Sequence, residues 1–443
     1  MTPAHRAFSS IRSITRVALA LTALLTGRPT LALQPLSVFL AGARQASTDE
    51  RIAGLTALQQ RAEAVVALGR TLPSASVRGV YTRNQYEAKL GGATIPGGSG
   101  GALVIQPSDQ LDAYLALDVP VIDAAGWART AAARANARAA SRSADATVLD
   151  VEKQVVRNYY QLIGAEALRA ASQRTLETAR QNLALTRERH AGGVATELDV
   201  DRAASEVERA RQSIAEAELT AELSRQALRT LAGVDPQGEA ASPTDDLHEE
   251  APLERWHGSV VDAIPSVASS VEQRRSAESS ALASRLSFVP MLSAAVQEHL
   301  TNAPGFFGHR SIWVATATAS WKVDLTTFAT LHSQEAAAAA ARTREAAARQ
   351  RALDQVHESW FRVHGGIAKS RAARAEAQAS AAAAARARER YQQGAGTQLE
   401  LVQAERDAFS AEVSRIQADA DLSYARASLR LDAGQPLDEE TSR

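Results

Sequence analysis

The residue types that usually carry chemistry are present in this chain, but not in chemical arrangements. Its nine histidines are scattered, with no metal-ligand spacing and no acidic partner at a fixed step. Cysteine is absent, which excludes disulfides, thiolate metal sites and a lipidated N-terminal cysteine. No glycine-rich loop leads from a strand into a helix with a lysine for phosphates, so neither a catalytic site nor a cofactor is expected. The polar residues with regular spacing lie instead in two stretches that nearly repeat each other at an offset of 201 residues. Gly193 falls on Gly394, Thr196 on Thr397, Leu198 on Leu399 and Asp199 on Glu400. In both, a long charged, alanine-rich segment ends at glycine and a threonine opens a new apolar heptad. Glycine tolerates the left-handed conformation that ends a helix, and threonine caps the next one. Each stretch therefore reads as the tip of a helical hairpin.

The same offset runs without a gap from Asp123 on Asp324, through Tyr159-Tyr160 on Trp360-Phe361, to Gly233 on Gly434. The chain is a tandem duplication. With 443 residues, only 5 % aromatic content and a net charge of −1, it suits long helices with narrow seams better than a large globular core. Near neutrality also removes the basic surplus that nucleic-acid binding requires. At the N-terminus His5, Arg6, Arg12 and Arg16 precede an apolar run from Val17 to Leu25, with small residues up to Ala32. That layout is a secretory signal peptide over residues 1–32. No other segment approaches the ~20 apolar residues of a transmembrane helix.

The first repeat, 33–234, opens with helical spacing from about Leu36 to Arg70, where Leu55, Leu58, Ala62 and Val65-Val66 share a side. The period then changes to two. In the hairpin 74–122, Ala75, Val77, Gly79 and Tyr81 alternate with polar residues, and Leu111, Ala113, Leu115, Leu117 and Val119 alternate with Asp112, Tyr114 and Asp118; a flexible glycine loop, 91–101, connects them. A long helix runs to the first tip, 190–197. The return helix repeats Val200, Val207, Ile214, Ala221 and Leu228 every seven residues, with Ala203, Ala210 and Ala217 between, which is a coiled-coil seam. Residues 235–256 form a polar linker. The second repeat, 257–435, repeats the order: a helix from about Val260, a hairpin 291–323, and a helical hairpin with its tip at 391–398. Residues 436–443 are a tail.

The fold class is thus mainly α with membrane β: long coiled-coil hairpins plus four strands per chain. Four strands cannot close a barrel, yet strands of about ten residues are the length that crosses a bilayer at a tilt, and lipid demands closure. Three copies supply twelve. Tyr81, Tyr114, Trp313 and Trp321 at the strand ends fit an interfacial girdle.

With both tips and the strand exits Pro120-x-x-Asp123 and Trp321-x-x-Asp324 in hand, the chain resembles the outer-membrane efflux (TolC-like) family over nearly everything after the signal peptide. The resemblance implies a homotrimer with a twelve-stranded barrel in outer-membrane lipid and a helical tunnel in the periplasm. It also implies a belt from the linker and tail, and tips that meet a periplasmic adaptor (membrane fusion protein) serving an inner-membrane transporter. Such a duct passes substrates passively and opens by an iris-like movement of its inner helices. Glu400 and Gln403 match the family's acidic constriction; only one remains acidic, so a weaker cation preference is expected. Tyr391 and Asp199 match the pair that latches inner to outer hairpin. Some relatives carry a basic residue where this chain has Gly396. Gly193, Val194, Thr196, Leu198, Gly394, Thr397 and Leu399 match the adaptor-contacting tips. The rival reading is an exported coiled-coil scaffold of the envelope without a barrel; the two hairpins of lipid-crossing length argue against it. Drug, metal and protein cargo are not separated by the sequence.

Overall fold

The computed structural model describes residues 33–90, 103–238, 240, 244–256, 264–435 and 437. The expected signal peptide, the glycine loop and most of the tail lie outside them.

Two helices, α1 (Leu36–Ala46) and α2 (Thr48–Gly69), open the chain where a single one is predicted. Ser47 separates them: its backbone is extended, and its hydroxyl accepts the Glu50 amide at 3.3 Å, so N-cap chemistry interrupts the heptads. The predicted apolar side of α2 is not its packing face. Ala57 and Ala64 are buried, while Leu55, Leu58, Val65 and Val66 are each more than half exposed within one chain. Alanine lets α2 lie close against the next helix, and the larger side chains are left for another surface.

Strands β1 (Ser74–Arg83), β2 (Ala88–Leu90), β3 (Leu103–Gln106) and β4 (Asp109–Ile122) follow. The short antiparallel pair β2–β3 extends the β1–β4 hairpin toward the glycine loop, a stem the sequence pattern did not reveal. Helix α3 (Ala124–Ala191) has 68 residues, or ~100 Å at 1.5 Å per residue. It returns through α4 (Glu197–Ala232), and the linker carries the single helical turn α5 (Leu253–Trp256). The second half adds α6 (Pro265–Leu286), β5 (Met291–Thr301), β6 (Ser311–Ser320), α7 (Leu325–Gln392) and α8 (Gln398–Asp432).

The strand exits are helix caps. Asp123 accepts the Gly126 amide at 2.7 Å and Asp324 the Thr327 amide at 2.8 Å, which turns each strand directly into a long helix. The main sheet is antiparallel in the order β1-β4-β5-β6, so β4–β5 joins the two halves. Pro120, which has no amide to donate, sits at a bulge in β4 rather than ending it. Register partners place Val77, Leu115 and Leu117 with Val296, Trp313 and Ala315 on one face. Arg78, Asp112, Tyr114, Gln297 and His299 lie on the other. Tyr114 therefore belongs to the polar face and not to the outward aromatic girdle expected for it; Tyr81 and Trp313 do lie on the apolar face, both well exposed.

The core is duplicated like the sequence. Val155, Leu162, Ala221 and Leu228 centre one cluster, joined by Phe39 of α1, and Val356, Val363, Leu422 and Leu429 centre the other at the same offset. Each large aliphatic buried in these seams contributes about 1.5–3 kcal/mol.

Candidate functional site

Both tips are built the same way. Gly193 and Gly394 adopt left-handed backbones with φ of 73° and 77°, which only glycine holds without strain. Thr196 and Thr397 then start α4 and α8 with reciprocal capping boxes to Asp199 and Glu400. Beside these turns Val194 (72 %), Leu198 (56 %) and Leu399 (56 %) stand exposed at the end of the hairpins. A bare apolar tip on a charged coiled coil suits contact with another protein. Replacing Thr397 by alanine is expected to remove about 1 kcal/mol of local stability, read as faster amide exchange over residues 398–401 with the rest of α8 unchanged.

Of the two expected constriction residues, Glu400 accepts the Thr397 amide at 3.2 Å and lies 3.9 Å from Arg390. Gln403 donates to Asp407 at 3.0 Å. These residues share one exposed face of α8, and Asp407 adds an acid one turn beyond Gln403 that the resemblance did not bring out.

Within one chain Tyr391 does not bond to Asp199, whose carboxylate is taken up by Thr196 and, at 3.8 Å, by Arg202. The Tyr391 side chain is instead buried between the hairpins. Its hydroxyl lies 3.3 Å from that of Thr186, and the Arg189 guanidinium sits 4.5 Å over its ring while donating to its carbonyl at 2.7 Å. Asn182 donates to Glu405, which Arg388 also holds at 2.9 Å, and Arg406 pairs with Glu206 across α4 and α8. The sequence carried a signal for this. Asn182, Thr186 and Glu405 are polar where the other repeat has Ala383, Ala387 and Ala204.

A second polar site fastens the linker. Arg426 of α8 is 5 % exposed; it donates to both Asp245 oxygens at 2.7 and 3.1 Å, to Glu250 at 2.6 Å and to the His248 carbonyl at 2.7 Å. Burial pushes the guanidinium pKa down, but these hydrogen bonds and charges outweigh it and the net shift is upward. Next to this clamp Leu247 has a φ of 57°, an unusual strain for a branched residue. Beyond it the Ala251 carbonyl accepts both Trp256 and Trp360 indole N–H groups, at 3.2 and 3.0 Å. Arg225 is the counterpart of Arg426 and pairs with Glu166, whose own counterpart is Ile367. Loss of that acid frees Arg426 for the linker.

A family model described as outer membrane efflux protein matches residues 61–234 and again 261–435. The chain belongs to that family. Membership places this outer membrane efflux protein in the outer membrane, its helical bulk in the periplasm, as a transport duct. Solved structures share the fold at low identity. A membrane protein from Pseudomonas aeruginosa is 20 % identical over 93 % of this chain and 100 % of its own, with a TM-score of 0.79. The Campylobacter jejuni CmeC outer membrane channel is 16 % identical over 99 % of this chain and 96 % of its own, with a TM-score of 0.79. The open state of the Neisseria gonorrhoeae MtrE outer membrane channel is 19 % identical over 93 % and 92 %, with a TM-score of 0.74. Among curated proteins none matches by sequence.

Among the described residues of this efflux protein no helix is long and apolar enough to cross a membrane, and no group of three or more histidine or acidic residues could hold a metal ion.

Proposed function

We propose that three copies of the chain close a twelve-stranded outer-membrane barrel and form the exit duct of a tripartite efflux pump or type I secretion system. The observation that carries this reading is the sheet itself. Among the described residues β1 pairs only with β4 and β6 only with β5, so both edges are open, and one face is mostly apolar across the four strands, with Glu298 as its charged exception on β5. Open edges in lipid leave backbone groups unsatisfied, and closure with neighbouring copies removes them. The exposed stripe Leu55, Leu58, Val65 and Val66 on α2 supports the same packing, because a neighbouring copy would cover it.

In this assembly the tips reach toward the inner membrane. Gly193, Val194, Thr196, Leu198, Gly394, Thr397 and Leu399 meet a periplasmic adaptor, which couples the duct to an inner-membrane transporter. Glu400 and Gln403, extended by Asp407, converge from three chains into a narrow polar ring that favours cations. The network around Tyr391 keeps the inner hairpins folded against the outer ones, and docking releases it in an iris-like opening. The linker belt stays clamped by Arg426 above the moving tips.

Alkaline carbonate extraction followed by a denaturing gel tests the reading against the scaffold alternative. A carbonate-resistant band that shifts from trimer to monomer mass on boiling is the expected result. Release by carbonate with migration only as a monomer would leave the scaffold.

A further inference from the structure

The polar face of the sheet carries a row that the duct reading does not use. Arg78 on β1, Tyr114 on β4 and His299 on β5 are direct register partners across three strands. The Arg78 guanidinium lies 4.8 Å from the Tyr114 ring centre. The Tyr114 and His299 rings stack at 4.5 Å with 7° between their planes. His299 Nε2 lies 2.9 Å from Asp112 Oδ1, and Asp112, itself buried, also accepts from Gln110 at 2.8 Å. The result is one continuous stack of cation, phenol, imidazole and carboxylate. It sits opposite Val77, Leu115 and Trp313, and a sheet in lipid turns its apolar face outward, so the stack lines the lumen.

We propose that Arg78, Tyr114, His299 and Asp112 form a charge filter in the exit barrel, with His299 setting its sign. The inference rests on the channel reading above. With His299 neutral, Arg78 and Asp112 balance within each chain. Histidine is the side chain whose charge changes between about pH 5 and 8. Protonation adds one positive charge per chain, three in a trimer, on an aromatic surface already fixed by stacking. Rings of charge select ions by sign, so the barrel then favours anions, and aromatic carboxylates above simple ones, because Arg78 and Tyr114 offer charge and ring together. Asp112 and Tyr114 face His299 from β4, its β6 partner Ile312 is uncharged, Gln297 and Thr301 flank it on β5, and Arg310 lines the same cleft as Asp112 and Thr301. Glu298 lies on the opposite face, where Ser311 donates to it.

The test is the reversal potential of the full-length protein in planar bilayers under a potassium chloride gradient. Lowering the pH from about 7.5 to 5.5 should raise the anion-over-cation permeability ratio at least about twofold, and His299→Gln, checked as a heat-modifiable trimer, should abolish that step. Arg78→Gln, at the exposed end of the row, should lower anion preference at both pH values and keep the step; it carries the test if His299→Gln does not assemble. A step of equal size in His299→Gln, an unchanged anion preference in Arg78→Gln, or no step in the wild type overturns the filter while leaving the channel. A membrane-inserted trimer that conducts nothing overturns both.

Discussion

Replacing Arg426 by alanine will release the linker and destabilise the helical body by about 3–5 kcal/mol, the range for breaking a buried ion pair from one side. The size follows from what remains. Asp245 and Glu250 are 9 % and 12 % exposed at their side chains, and without the guanidinium both are partly buried anions facing an empty slot. The strain at Leu247 is then no longer held, because a left-handed backbone at a branched residue persists only while its surroundings over-determine it. A lower urea midpoint together with rapid protease cleavage within 244–252 is the expected result; wild-type resistance there would mean that Trp256 and Trp360 fix the linker without Arg426. Arg426→Lys keeps the charge but not the fork, and should fall between wild type and alanine. Ile367→Glu restores the acid present in the first repeat and should draw Arg426 inward, loosening the linker although Arg426 is intact.

The duplication made most of this architecture legible. A period of two over 74–83 and 291–299, and heptads through Val207, Ala221 and Leu228, are direct imprints of a half-buried sheet and a helix seam. Such patterns survive because each residue's burial is set by its own element. The misses are contacts between elements. Ser47 breaks the first helix through one capping bond, which the heptad pattern does not encode. Tyr114 is a girdle residue by type, but its place in the alternation beside Asp112 and its register opposite His299 both put it on the polar face. The stem β2–β3 is too short to carry a period. At the tips the heptads do not show that Tyr391 lies beside Thr186 of α3 within one chain.

Disarming that contact should have the largest functional effect. In the double variant Arg189→Gln, Tyr391→Phe, the inner hairpin loses three restraints on the outer one: the hydroxyl bond to Thr186, the bond from Arg189 to the Tyr391 carbonyl, and the cation over the ring. A neutral hydrogen bond contributes about 0.5–1.5 kcal/mol, a charged one about 1.5–3, and a cation–π contact about 0.5–2. Even the lower ends together give about 2.5 kcal/mol, and 1.4 kcal/mol is tenfold in an equilibrium. The closed-to-open ratio should thus fall by about 50-fold or more, read as a rise in open probability in planar bilayers without adaptor. Phenylalanine retains the buried ring, so the hairpins still pack and the trimer still assembles. The remaining contacts, Asn182 with Glu405 and Arg406 with Glu206, set how much closure survives; adding Arg406→Gln should open the duct further. Asp199→Asn is the discriminating control. If the latch runs through Thr186 and Arg189, this change costs only part of a helix cap at the outer tip and leaves open probability near wild type. Opening by Asp199→Asn as large as in the double variant would instead place the latch on Asp199, through a contact made only between neighbouring copies.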